Sequence, residues 1–164
     1  MDRRPRVDPG AIRGAANGVD EPVRVRPLDE LDITAVADIA ERSGGPRDAG
    51  FWEDRVTSFL RRDPEGALIA EVGGRAAGFM LGEVRRGEFG IAEPTGWIEF
   101  LGVDPELRGR AVGRLLAEAL EAHFRARGAV AVRTLVDETM PGVAAFFASL
   151  GYAPAPMRPF VKSL

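Results

Sequence analysis

Three arginines, Arg108, Arg110 and Arg114, stand within seven residues of one another. The pattern before them is strand-like and the pattern after them is helical, which places them at the start of a predicted helix. The helix dipole disfavours basic residues there, by roughly 0.3–1 kcal/mol each, unless an anion joins them. Gly109 and Gly113 would let a ligand approach the backbone N–H groups without a Cβ in the way. The segment therefore predicts a phosphate-binding turn.

A solvated charged surface is the alternative interpretation of this turn, because short Gly and Arg motifs have many chance matches. The flanking strand and helix favour the phosphate site, since that chemistry requires this arrangement. Neither the P-loop motif nor the dinucleotide glycine fingerprint occurs in the sequence. The turn therefore predicts an anion site of another kind.

The periodicity around the turn predicts a mixed α/β domain. Alternation of apolar and charged residues predicts strands, and apolar residues at i, i+4, i+7 and i+8 predict helices. Gly73 and Gly74 predict a hairpin, and the later strand, helix and strand predict a crossover with two parallel strands. We expect the first two helices to form the substrate side. In chain order the predicted elements are strand 23–28, helices 29–43 and 51–62, strands 67–72, 75–84 and 97–103, helix 109–127, strand 130–136, helix 141–150 and strand 152–161.

The composition excludes several classes of site. The 164 residues contain no cysteine and one histidine, so disulfides, cysteine nucleophiles and zinc-type ligand sets are not expected, and we predict no metal. A net charge of −3 disfavours a nucleic-acid-binding domain, which stays an alternative use of the arginine turn. No apolar run approaches the roughly 18 residues of a membrane helix, and none follows the basic start. We therefore expect a cytoplasmic protein without membrane contact.

The first 22 residues are rich in proline and glycine and contain hardly any large apolar side chains. Such a composition buries too little surface to offset the entropy of ordering. We predict a disordered tail over residues 1–22 and one domain over residues 23–164.

The run from Trp97 to Leu116 resembles motif A of the GNAT acetyltransferases, whose signature is Arg/Gln-x-x-Gly-x-Gly/Ala. Arg108 and Gly113 match its ends, and Ala111 replaces its central glycine. The opening strand and the segment ending at Tyr152 are also similar to this family, so the resemblance covers roughly residues 23–164. It implies a GNAT-like fold with a mostly antiparallel central sheet, one parallel crossover and flanking helices.

The resemblance implies acetyl-CoA as the donor and a primary amine, on a small molecule or a protein, as the acceptor that attacks directly in a ternary complex. Main-chain groups of the strand would hold the pantetheine arm, and N–H groups of the turn would hold the pyrophosphate, with arginine side chains adding contacts. Homodimer formation stays open, since many such domains pair through edge strands or C-terminal segments. The implied cofactor-binding set is Leu101, Val103, Arg108, Gly109, Arg110, Ala111, Val112, Gly113 and Arg114.

Transfer to an amine requires a group that accepts the amine's proton. Glu99 is the candidate base, because strand alternation would place it on one face with Trp97, Leu101 and Val103, near the thioester. Burial among those residues would raise its pKa toward the useful range. The alternatives are that Glu99 pairs with an arginine or faces water, and that Glu83 in the neighbouring strand acts instead.

The acid that protonates the leaving thiolate is harder to identify. Phe147 stands where the family often has a tyrosine, and Met140 stands where it often has an asparagine. Tyr152 occupies the position of a family phenylalanine, where we expect a packed ring with a satisfied hydroxyl. These departures leave open a coenzyme-A-binding regulatory module with weak or no turnover. His123 is expected to be an ordinary helix-face residue, and Trp52 could line an acceptor groove.

Overall fold

The computed structural model describes residues 21–164, and the tail predicted over residues 1–22 lies outside these except for its last two residues. A mixed α/β architecture is confirmed, with five strands and four α-helices in the described part of the chain. The strands are β1 Val23–Pro27, β2 Ala67–Val72, β3 Arg75–Arg85, β4 Thr95–Val103 and β5 Ala131–Thr134. The helices are α1 Ile33–Arg42, α2 Ala49–Arg62, α3 Val112–Ala126 and α4 Pro141–Ser149.

The strands form one sheet in the order β1-β2-β3-β4-β5. The first three pairings are antiparallel, and β4 pairs in parallel with β5, which confirms the crossover through α3. Apolar side chains on the two faces form two clusters. One cluster includes Val36, Ile39, Trp52, Phe59, Phe79 and Leu81, from α1, α2 and the sheet. The other includes Met80, Ile98, Leu116, Leu120, Phe124 and Phe147, from the sheet, α3 and α4.

Helix α3 lies close against the sheet because two strand positions lack a Cβ. A Cβ built at Gly82 would lie 2.6 Å from the Phe124 ring, and one at Gly96 would lie 2.2 Å from it. These distances are shorter than any carbon–carbon contact that packing allows. The two glycines therefore fix the depth of the helix whose N-terminus forms the predicted anion site.

A β-bulge interrupts the pairing of β3 with β4. Leu81 pairs with Phe100 while Gly82 pairs with Ile98, so Glu99 is the extra residue. Phe100 packs in the cluster beneath α1 and α2, whereas Leu101 packs against the α3 cluster. Val103 packs on the same side as Leu101. The prediction that Glu99 shares a face with Leu101 and Val103 is therefore wrong, because the bulge shifts the alternation.

Two further predictions about elements are wrong. Helix α3 begins at Val112, because Gly109 and Ala111 have left-handed backbone conformations that a helix cannot include. The strand predicted over 152–161 does not form, and residues 152–164 contain no helix or strand. Prolines at 154, 156 and 159 each lack the N–H donor that strand pairing uses.

None of the helices within residues 21–164 combines the length and apolarity that crossing a bilayer requires.

Candidate active site

A groove of about 940 Å³ opens where the two parallel strands separate. The last β4–β5 pair is Ile98 with Thr134, so β4 continues beyond the end of β5. Residues 99–103 of β4 form one wall, Leu135 and Val136 lie on the other, and the turn before α3 closes one end. The predicted pantetheine contacts, Leu101 and Val103, both line this groove. Backbone along an unpaired strand edge can bind an extended ligand as a neighbouring strand would.

The turn before α3 exposes backbone donors. Gly109 has φ +81 and Ala111 has φ +59, both left-handed, and Ala111 is the N-cap of α3. An alanine offers no side-chain acceptor, and no side-chain hydrogen bond caps this helix. The N–H groups of Val112, Gly113 and Arg114 are therefore the uncapped first-turn donors, at the positive end of the helix dipole.

The arginines of the turn differ in position. Arg108 and Arg114 line the groove, and an Arg114 Nη2 also donates to the Ser149 carbonyl at 3.3 Å. Arg110 is not among the lining residues, although the others from 108 to 114 are. The structure therefore brings together eight of the nine predicted donor-binding residues in one groove.

Gly113 has a different role from the one expected. A Cβ at this position would lie 2.9 Å from the ring of Phe146 on α4. Its missing side chain therefore permits close packing of α3 with α4, and the expectation that it opens space for the ligand is wrong. At Gly109 a Cβ would meet nothing within 4 Å, so its positive φ explains that glycine.

Asp104 anchors the chain at the start of the turn. Its side chain is fully buried, accepts the N–H of Glu106 at 3.0 Å, and pairs with Arg42 at 2.8 Å and Arg75 at 2.7 Å. Burial by itself raises the pKa of Asp104, but the hydrogen bond from Glu106 and the two guanidinium charges outweigh it and lower the pKa below its ordinary value. These contacts tie the turn to α1 and β3.

Glu99 lines the groove and forms an ion pair with Arg85. Arg85 also pairs with Glu83 at 2.7 Å, and Glu83 pairs with Arg62 of α2 at 2.8 Å. Four alternating charges thus run from α2 across the sheet to the groove. The expected burial of Glu99 among apolar residues is wrong, and the alternative of an arginine partner is correct. Glu83 is held by two arginines and does not line the groove.

Neither of the aromatic residues considered for the acid lines the groove. Phe147 is buried in the core, and the Tyr152 hydroxyl donates to Glu121 Oε1 at 2.7 Å. Burial, together with this hydrogen bond, raises the pKa of Tyr152 well above its ordinary value. The expectation of a packed tyrosine with a satisfied hydroxyl is confirmed. Met140 does line the groove.

Of the two remaining candidates, Trp52 lines the groove and His123 lies outside it. His123 pairs with the buried Asp63 at 2.9 Å and does not line the groove. Trp52 does line it, as suggested from the sequence, and its indole N–H donates to the Pro46 carbonyl at 3.1 Å. Within residues 21–164, no three His, Cys, Asp or Glu side chains are grouped as a metal site.

Several groove residues were not predicted from the sequence. Leu135 and Val136 follow the second parallel strand, and the carboxyl ends of parallel strands are where ligands bind in α/β sheets, so their place after β5 was an available signal. Ser43, whose hydroxyl donates to the Val103 carbonyl at 3.0 Å, and Phe146 carry no local signal of this kind. Their positions depend on packing between elements far apart in the chain.

Comparison with known proteins agrees with this geometry. The model of the acetyltransferase (GNAT) family matches residues 33–152. A mycothiol acetyltransferase from Thermobispora bispora is 39% identical over 90 residues, which are 55% of this chain and 30% of that protein. An acetyltransferase from Pectobacterium atrosepticum is 29% identical over 130 residues, 79% of this chain and 87% of that protein. The chain thus spans about a third of the first relative's length.

Solved structures show the same fold. The aminoglycoside N-acetyltransferase AAC(6')-Iy in complex with CoA superposes with a TM-score of 0.77 at 16% identity, covering 87% of this chain and 95% of that one. Ard1 from Thermoplasma volcanium gives a TM-score of 0.67 at 22% identity, covering 80% and 82%.

Proposed function

Since the chain belongs to the acetyltransferase (GNAT) family, we propose that it transfers the acetyl group of acetyl-CoA to a primary amine on a small molecule or a protein. The observation that carries the proposal is the uncapped N-terminus of α3, which closes one end of a groove along the free edge of β4. A helix N-terminus with unsatisfied N–H groups binds phosphate. An adjoining strand edge suits an extended amide-containing arm.

In this proposal the pyrophosphate binds the N–H groups of the turn from Gly109 to Arg114, and the side chains of Arg108 and Arg114 add charge. Main-chain groups of Leu101 and Val103 hold the pantetheine arm. The single Ser43 hydroxyl proton lies between the Ile39 carbonyl at 2.7 Å and the Val103 carbonyl at 3.0 Å, so the Val103 carbonyl keeps at least one lone pair for the arm. The thioester then lies toward Glu99, further along the same wall of the groove.

Glu99 acts as the base in this proposal. Its carboxylate lines the groove on the wall along which the thioester would lie. The acceptor arrives as an ammonium ion and gives one proton to Glu99. Its nitrogen then forms a bond to the acetyl carbonyl carbon and loses its second proton to water, while the carbon–sulfur bond breaks and coenzyme A leaves as a thiolate.

The thiolate takes its proton from water, because Phe147 has no proton to give and Tyr152 is engaged by Glu121. The lack of a protein acid for the thiolate favours a second candidate, a coenzyme-A-binding regulatory module with weak or no turnover.

A cytoplasmic location is part of the proposal, and fractionation of cells that carry the native protein tests it.

Replacement of Glu99 by glutamine tests the proposed function. We expect kcat to fall by about 10²- to 10⁴-fold, the contribution of a general base, while the Kd of acetyl-CoA stays unchanged. Glu83→Gln is the matched control, because it removes a carboxylate from the same charge row outside the groove. A large loss with Glu83→Gln and none with Glu99→Gln would reverse the assignment. Binding of acetyl-CoA without transfer to any amine in a broad panel would instead support the regulatory module.

A further inference from the structure

Exposed apolar side chains gather on one wall of the groove. Leu135 is 73% exposed and Met140 is 42% exposed, and both line the groove. Large apolar residues that stay exposed within a concave site indicate a binding surface. The donor contacts proposed above use main-chain groups of β4 and the turn before α3, so these two side chains have no polar partner to satisfy and are available to the acceptor as well as to the arm.

The register of the parallel strands places Leu135 beside the reaction. Ile98 pairs with Thr134, and the next residues on the two strands are Glu99 and Leu135. They stand at the point where β4 and β5 separate. An amine that gives its proton to Glu99 is therefore bound at the strand separation that Leu135 also lines.

The other walls at this end are also apolar. Trp52 is 3% exposed and uses its only polar group, the indole N–H, on the Pro46 carbonyl, so a small part of its ring is all that reaches the groove. Phe100 packs edge-to-face on Trp52 with ring centroids 5.4 Å apart, and it lines the groove together with Pro46. Such a surface gains from contact with hydrocarbon and offers little to a hydroxyl-rich acceptor.

The charges in this region match a single ammonium. Glu99 is paired with Arg85, so its charge is already balanced. Asp137 also lines the groove, and one of its oxygens, Oδ1, accepts both the N–H of Thr139 at 2.8 Å and its hydroxyl at 2.7 Å. Its other oxygen accepts no hydrogen bond from the described residues and is available to a cation. A polycationic acceptor would gain little beyond this one carboxylate.

We propose that the acceptor is a monoamine whose amino group is attached to an apolar body, and that Leu135 determines this specificity. The inference rests on the proposed transfer to an amine. An arylalkylamine and a peptide with an apolar first residue share this chemistry.

The test compares 2-phenylethylamine with 1,4-diaminobutane, by isothermal titration into protein saturated with CoA and by kcat/KM with acetyl-CoA. We expect 2-phenylethylamine to be favoured by at least about tenfold, the size of a modest apolar contact in a pocket. Leu135→Ser should remove most of that preference. Val130→Ser is the matched control, because Val130 precedes β5 as Leu135 follows it, is 70% exposed and does not line the groove.

The outcomes separate the two proposals. Equal use of both amines, preference for 1,4-diaminobutane, binding of neither amine, or an unchanged preference in Leu135→Ser would overturn the apolar acceptor. Turnover without preference leaves transfer intact. Preferential binding without turnover supports the apolar site and overturns transfer. A tripeptide that begins with leucine is then compared with one that begins with aspartate. A kcat/KM ratio of the leucine to the aspartate peptide that exceeds the ratio of 2-phenylethylamine to 1,4-diaminobutane indicates a peptide acceptor.

Discussion

The N-termini of α2 and α3 are built in opposite ways. Asp48 caps α2, with an extended backbone and a carboxylate that accepts the N–H of Phe51 at 3.1 Å. Ala111 stands at the same position of α3, with a left-handed backbone at φ +59 and no side-chain bond to the helix. Arg108 and Arg114 flank this second N-terminus, where a helix alone would favour acidic residues.

The two N-termini differ in whether their backbone N–H groups are satisfied within the chain or left for a ligand. Asp48 satisfies its helix from within the chain, and this stabilises the fold by about 1 kcal/mol. At α3 the corresponding first-turn N–H groups have no side-chain partner, and the left-handed conformation of Ala111 costs roughly 1–2 kcal/mol. The chain thus gives up stability at the N-terminus of α3, where the N-cap residue Ala111 lines the groove, and keeps it at the N-terminus of α2, where the N-cap residue Asp48 does not. An anionic ligand at α3 explains both features.

The largest effect is expected from an aspartate at the N-cap of α3. Ala111→Asp places a carboxylate at the anion site, and its repulsion of the pyrophosphate should raise the Kd of CoA on the order of 100-fold. Asp tolerates the left-handed conformation, so the variant should stay folded. Isothermal titration gives the Kd and circular dichroism checks the fold.

Two controls sharpen this prediction. Ala111→Asn has nearly the same shape without the charge and should change the Kd by less than about fivefold. Asp48→Ala should lower the free energy of unfolding by about 1 kcal/mol and leave the Kd unchanged. Similar losses of CoA affinity in the aspartate and asparagine variants would show that shape, and not charge, governs the site.

An intermediate effect is expected from Asp104, which fixes the chain that leads into α3. Asp104→Asn should lower the free energy of unfolding by about 2 kcal/mol at neutral pH. The value is below that of a fully buried pair, because Arg42 and Arg75 are about half exposed. Chemical denaturation of parent and variant measures it.

The pH dependence follows from the lowered pKa of Asp104. The carboxylate contributes fully to stability above the ordinary carboxyl pKa, about 3.9, and this contribution is lost as the pH falls through the lowered value. The difference between parent and Asp104→Asn should therefore shrink below about pH 4. A constant difference from pH 7 to pH 3 would contradict the proposed role of its charge.

The smallest effect is a gain in stability at the uncapped helix. Ala111→Gly should raise the free energy of unfolding by about 1 kcal/mol, because glycine adopts a positive φ without strain. Ala119→Gly, within the same helix, should lower it by about 1 kcal/mol. The same substitution thus has opposite signs at two positions of α3. A loss of stability in both variants would show that the Ala111 backbone is not strained.

Much of the fold could be predicted because the relevant patterns are local. The strand, helix and strand around Arg108 follow from alternation and helical spacing over a few residues each. The bulge at Glu99 could not, since an extra residue appears only when β4 is paired with β3. It moves Leu101 and Val103 to the other face and changes the surroundings of Glu99.

The electrostatic part of the site was the least predictable. Asp104 stands before a proline and has no sequence pattern that marks it, whereas its function depends on Arg42 and Arg75 from two other elements. Arg85 reaches Glu99 for the same reason, through pairing of distant strands. Charge pairs of this kind depend on tertiary structure and leave no periodic signal in the sequence.

Titration of coenzyme A and of pantetheine into the parent and into Ala111→Asp tests the uncapped helix most directly. Pantetheine has the arm that the β4 edge would hold but lacks the pyrophosphate. We predict that the parent binds coenzyme A at least about 100-fold more tightly than pantetheine, and that this difference largely disappears in Ala111→Asp. Equal affinity of the parent for both ligands, or no binding of coenzyme A by the folded parent, would contradict an anion site at α3.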